Sequence, residues 1–87
     1  MVSQKVIVRN QAGFHLRPAG ILCKEALKYE SRITFKFINQ VYNAKSVLGV
    51  LGAGISSGSE LEFVCEGKDE QDALNAMIML IENGLGD

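Results

Sequence analysis

The sequence predicts an α/β two-layer (α+β) domain, an antiparallel or mixed sheet with its helices on one face, and three observations support this. Apolar residues switch along the chain between a period of two and a period near 3.6, in the order strand, helix, strand, strand, helix, strand, helix. Turn signals rich in Gly, Asn and Ser separate these segments. The 87 residues, 47% hydrophobic and 22% charged, suit one modest core rather than two. No repeat, Pro-rich linker or low-complexity tract interrupts the plan, so residues 1–87 are expected to fold as a single domain.

In the opening segment Val6 and Val8 share one phase while Lys5, Ile7 and Arg9 take the other, as in a strand covered on one side. A loop from Asn10 to Phe14 ends it. From Leu16 to about Lys28, Ala19, Leu22, Cys23 and Ala26 obey the i, i+3, i+4, i+7 rule and leave Arg17, Lys24 and Lys28 outside the buried stripe. Ile21 also falls outside it and adds an apolar element to the face that carries Arg17. Ile33, Phe35 and Phe37 alternate with Thr34 and Lys36, and Asn39-Gln40 offers a turn into Val41-Tyr42-Asn43, which predicts a hairpin. Ser46 is placed to cap a short helix over Val47 to Leu51, which Gly52 and Gly54 can end. After the turn Ser56-Ser57-Gly58-Ser59, Leu61, Phe63 and Cys65 face inward against Glu60, Glu62 and Glu66. A last helix is capped by Asp69, carries Glu70 and Asp72 near its positive end, buries Ala73, Ala76, Met77 and Leu80, and stops near Gly84.

Composition narrows the function. A net charge of −1, with nine Lys and Arg residues scattered along the chain, gives no general attraction to nucleic acid. The N-terminus runs directly into alternating apolar residues, without a signal-peptide core or a spanning apolar run, so membrane insertion is not expected and a cytoplasmic location is. Cys23 and Cys65 stand far apart without a metal-ligand spacing, and both fall on inward phases, where thiols behave as small hydrophobes. Neither a metal nor a cofactor is implied.

The lone histidine, His15, lies in Gly13-Phe14-His15-Leu16-Arg17-Pro18-Ala19, where a glycine loop gives way to a helix start. Backbone N–H groups there have no intrahelical acceptor, and the summed peptide dipoles place roughly +0.5 of a charge at that end, which favours an anion. Arg17 adds a planar guanidinium that matches phosphate oxygens. Pro18 falls in the first turn, where its missing N–H is harmless. The neutral ring nitrogen is the nucleophile. A histidine that merely caps the helix is the plainer alternative; the company of Gly13, Arg17 and Pro18 favours phosphate handling.

Joined with Lys45-Ser46-Val47-Leu48-Gly49-Val50, that motif resembles the HPr family, the histidine phosphocarriers of the bacterial phosphoenolpyruvate-dependent sugar phosphotransferase system, over essentially the whole chain. The resemblance implies an open-faced β-sandwich, a four-stranded sheet covered on one face by three helices in the order βαββαβα. It implies a carrier that takes phosphate from enzyme I and passes it to the IIA domains of sugar permeases. His15 would be phosphorylated through Nδ1, with Arg17 as the phosphate partner.

Lys45-Ser46 is similar to the Gram-positive form of the motif, in which the serine is the regulatory site of an ATP-dependent HPr kinase/phosphorylase. That makes Ser46 a second expected phosphosite, read by a catabolite-control repressor, beside its role as a helix cap. Leu48 and Leu51 cannot both be buried on so short a helix with Val47 and Val50, so with Leu16 and Ile21 they form an expected docking patch. Two departures from the family pattern bear on partner recognition. Leu16 stands where many members have a small or hydroxyl residue, and Gly52-Ala53 replaces a more typical serine and bulky apolar pair. A purely regulatory module acting through phosphorylated Ser46, without histidine transfer, is the alternative function. A small acyl-phosphate hydrolase is disfavoured, since no paired carboxylate or activated nucleophile accompanies His15.

Overall fold

The computed structural model describes residues 1–11 and 13–86. Among them the order is β1 (Val2–Ile7), α1 (Leu16–Ala26), β2 (Arg32–Phe37), β3 (Gln40–Asn43), α2 (Val47–Gly52), β4 (Glu60–Glu66) and α3 (Glu70–Glu82), followed by a tight turn over Gly84–Gly86. The four strands form one antiparallel sheet in the order β1-β4-β2-β3. This is the predicted two-layer fold, and the sheet is antiparallel throughout.

Strand alternation decides what the sheet buries. Val6 on β1 pairs with Leu61 on β4, Phe35 on β2 with Phe63, and Ile33 with Cys65, and all six side chains are turned into the core. The three helices cover that face. Ala19, Leu22 and Ala26 of α1, Val50 of α2 and Ala73, Met77 and Ile81 of α3 complete a single cluster beneath them. Phe35 is its centre, stacked on Tyr42 at 5.4 Å, tilted against Phe63 at 5.5 Å and met edge-on by Phe14 at 6.1 Å. Aromatic contacts of this kind add about 0.5–1.5 kcal/mol each beyond burial.

Four sequence expectations shift. The hairpin turn is Ile38-Asn39 rather than Asn39-Gln40: Phe37 pairs with Gln40, and Ile38 and Asn39 both take positive φ, +47° and +64°. Two left-handed residues make the turn whose twist matches the strands. The Phe35–Tyr42 stack fixes that register, although a β-branched residue rarely adopts such a φ. Helix α1 ends at Ala26, because Lys28 N–H turns back to the Glu25 carbonyl in a tighter closure. Helix α2 runs one residue further than expected, to Gly52.

The last helix departs more. Asp69 occupies the N-cap position but makes no capping bond. Its carboxylate instead accepts the Glu30 and Ser31 backbone N–H groups and the Ser31 hydroxyl, tying the α1–β2 turn to the start of α3. The buried stripe is also broader than expected: Ala73 and Met77 are inside, with Leu74, Ile78 and Ile81, while Ala76 and Leu80 are only half-buried. Helix α3 packs mainly on β1 and β4, which turns the flank carrying Leu74, Ile78 and Ile81 toward the sheet.

Candidate functional site

The expected site begins where β1 runs out. Beyond Ile7, Val8 stays attached to the α2–β4 connection: its N–H donates to the Ser59 carbonyl at 2.9 Å, and its carbonyl accepts the Gly58 N–H at 2.8 Å. Asn10 is buried and closes the loop on itself, its Nδ2 donating to the Gly13 carbonyl at 2.6 Å and its carbonyl accepting the Gly13 N–H at 3.2 Å. Gly13 has φ +66°, and a Cβ there would overlap the Ile55 carbonyl oxygen and come within 2.8 Å of Ser56 Cα. Only glycine satisfies both demands. The Phe14 N–H then donates to the Ile55 carbonyl at 3.0 Å, and the Phe14 ring is buried against Phe35.

His15 follows as the N-cap of α1, its backbone extended at φ −92° and ψ −170° and its carbonyl accepting the Ala19 N–H at 2.9 Å. The imidazole makes no capping hydrogen bond and is exposed. A helix-capping role, the plainer sequence alternative, is therefore not what the side chain performs. The first turn divides cleanly. Leu16 and Arg17 point outward with His15, while Pro18 and Ala19 are buried and anchor the turn to the core. The exposed ring thus stands at the positive end of an 11-residue helix with a guanidinium on the same turn, an arrangement suited to holding an anion.

Ser46 caps α2 as predicted. Its Oγ accepts the Gly49 N–H at 3.0 Å, and its carbonyl accepts the Val50 N–H at 2.9 Å. The preceding Lys45 has a structural part that its motif did not disclose. Its Nζ donates to the Tyr29 carbonyl at 2.6 Å, beyond the end of α1, and its own carbonyl lies 3.1 Å from Cys23 Sγ within α1. Helices α1 and α2 pack against each other, so His15 and Ser46 stand at the starts of two neighbouring helices.

The four expected docking residues separate into two pairs. Leu16 and Leu48 are 69% and 81% exposed, whereas Ile21 and Leu51 are half-buried and packed against the core. Ile21 and Leu51 owe their cover to packing against the core, which sequence periodicity could not count. Cys23 and Cys65 are both buried, and desolvation, assisted by Glu70 and Asp69, pushes the Cys65 thiol up to about 11. Among the described residues no group of three His, Cys, Asp or Glu is placed to hold a metal, and no helix is long and apolar enough to cross a membrane. Sequence reasoning missed Ile55, whose carbonyl holds the loop before His15; the only local trace of that contact is Gly13 itself.

Residues 2–83 match the family model described as "PTS HPr component phosphorylation site". The chain is 42% identical over 83 residues to the Phosphocarrier protein HPr of Treponema pallidum, covering 95% of this chain and 94% of that one. It is 38% identical over 82 residues to the HPr-like protein Crh of Halalkalibacterium halodurans, covering 94% and 98%. Among solved structures it is similar to HPr-C-His from Thermoanaerobacter tengcongensis, with a TM-score of 0.96, 34% identity and coverage of 100% and 98%.

Proposed function

The chain belongs to the HPr family of phosphocarriers of the phosphotransferase system, and on that premise we propose that His15 is its carrier residue, charged by phospho-enzyme I and discharged onto IIA domains of sugar permeases. The observation that carries this reading is the exposed imidazole at the N-cap of α1, which makes no capping bond. In the forward step the Nδ1 lone pair of the neutral ring attacks phosphorus as the bond to the donor enzyme breaks. In the reverse sense the N–P bond breaks as the acceptor attacks. Arg17 and the helix start balance the phosphoryl charge in both steps. The chain is then a substrate of other catalysts rather than a catalyst, and it acts in the cytoplasm.

Ser46 is its regulatory phosphosite, modified by an ATP-dependent HPr kinase/phosphorylase. A phosphate of about −1.5 to −2 charge there would repel an acidic docking surface on enzyme I and attract a basic partner such as a catabolite-control repressor. Leu16 and Leu48 provide the exposed apolar contacts for docking, backed by Ile21 and Leu51.

A second reading, regulation through phosphorylated Ser46 without histidine transfer, is raised by the relative named HPr-like protein Crh. Incubation with phosphoenolpyruvate and enzyme I, followed by mass spectrometry and acid treatment, separates the two. An acid-labile phosphate that disappears in His15→Ala supports the carrier; equal labelling of that variant, or no label on the wild type, refutes it. For Ser46 the expected result is acid-stable label from ATP and a serine kinase, absent in Ser46→Ala.

A further inference from the structure

We infer that Ile55 is a positioning residue for His15, acting through its backbone carbonyl on the Phe14 amide; this rests on the reading of His15 as the phosphoryl carrier. Three observations converge on it. The loop that delivers His15 is attached at both ends to the same α2–β4 connection, at Val8 through Gly58 and Ser59 and at Phe14 through Ile55. The contact at Ile55 is backbone against backbone, close enough that Gly13 has no room for a Cβ. The Ile55 side chain is itself buried in the core, so the carbonyl sits on a fixed support rather than on a loose loop.

The geometry leaves His15 little freedom of its own. Phe14 is fixed by a 3.0 Å hydrogen bond on its amide and by a buried ring, and the His15 carbonyl is already engaged by Ala19. Between two held backbone groups, the imidazole can move only about its side-chain torsions. Release of the Ile55 contact frees the backbone immediately before the reacting ring. A misplacement of about 1 Å at a reacting group can cost on the order of a hundredfold in rate. Ile55 touches neither the ring nor the phosphoryl group, so its effect should appear in turnover, while partner affinity, set by the exposed face, remains.

Two variants test this from opposite sides of the bond. Semisynthesis with L-phenyllactate in place of Phe14 turns the Gly13–Phe14 amide into an ester, which deletes the donor and weakens the Gly13 carbonyl as an acceptor. Ile55→Val shortens the buried anchor and leaves every peptide bond in place. Ile81→Val, equally buried in α3, is the control for a loss of packing alone. Each folded protein, checked by circular dichroism, is assayed as acceptor of phosphate from phosphoenolpyruvate and enzyme I. The expected result is a loss of kcat of more than about threefold for both the ester and Ile55→Val, with KM within about twofold of wild type and Ile81→Val unchanged. Loss of kcat within about threefold in either test variant, or a matching loss in Ile81→Val, overturns the assignment. Failure of the wild-type chain to take label on His15 would instead remove the carrier reading beneath it.

Discussion

At Ser46 the helix cap and the proposed phosphosite fall on one oxygen. The Oγ accepts the Gly49 N–H, so it satisfies one of the orphan donors of a helix only six residues long. Ser46→Ala should cost about 0.5–2 kcal/mol, the usual range for a lost N-cap. Ser46→Asp, which can accept the same N–H and places negative charge at the positive end of the helix, should remain close to wild type. Urea denaturation of the three proteins checks the order, and a Ser46→Ala protein as stable as wild type would show that the cap contributes nothing. The distinction matters for any test of regulation, since an alanine variant removes the proposed phosphosite and the cap together. This residue was legible in the sequence because a serine immediately before an apolar run serves a local need. Gly13 was legible only in part. Its loop position could be read from neighbours, but the Ile55 carbonyl that excludes every other residue comes from a distant segment.

The start of α3 shows how an element can borrow a residue that local rules assign elsewhere. Asp69 precedes the helix and has the chemistry of a cap, yet Glu30 and Ser31 offer it three donors from the turn between α1 and β2. The Ser31 hydroxyl first, then the Glu30 amide, hold its carboxyl below the ordinary 3.8. Glu70, the first residue of the helix, reaches back to the segment before it, accepting the Gly67 N–H at 3.1 Å and pairing with the Met1 amine at 3.0 Å. Periodicity and capping preference found the element but not the clamp, because a cap and a tertiary contact select the same side chain. A pH dependence follows with a definite sign. A carboxyl whose folded value is depressed lends stability that is complete above its unfolded value, near 3.8, and is lost as pH falls through the lower folded value. Wild type should therefore lose more stability than Asp69→Asn on acidification below about pH 5, after Asn has lowered stability at neutral pH. Parallel acid limbs in thermal melts of the two proteins would contradict the clamp.

At the scale of the whole molecule, alternation, helical periodicity and turn and cap signals located each strand and α-helix but read the buried face of α3 only in part, and they carry no information about which strands are neighbours. The order β1-β4-β2-β3 brings together segments from both ends of the chain, and β4 lies between β1 and β2 although it is the last strand made. That interior position gives Cys65 its character. It pairs with Val2 on one side and Ile33 on the other, is fully buried, and has its thiol raised from 9.0 to about 11, chiefly by desolvation. A raised value means that the stability associated with the neutral thiol is complete below pH 9.0 and is lost as pH rises through about 11. It also means that the nucleophilic thiolate is scarce and unreachable in the native sheet. Modification of Cys65 by a thiol reagent at about pH 8, followed by peptide mass spectrometry, should therefore proceed only through opening of the sheet. Urea below the unfolding midpoint should raise the logarithm of its rate in proportion to the fall in stability, since separating either β1 or β2 from β4 is part of the cooperative loss of the core. A Cys65 that reacts in the native protein as fast as in the unfolded chain would place β4 at an accessible edge and contradict this strand order.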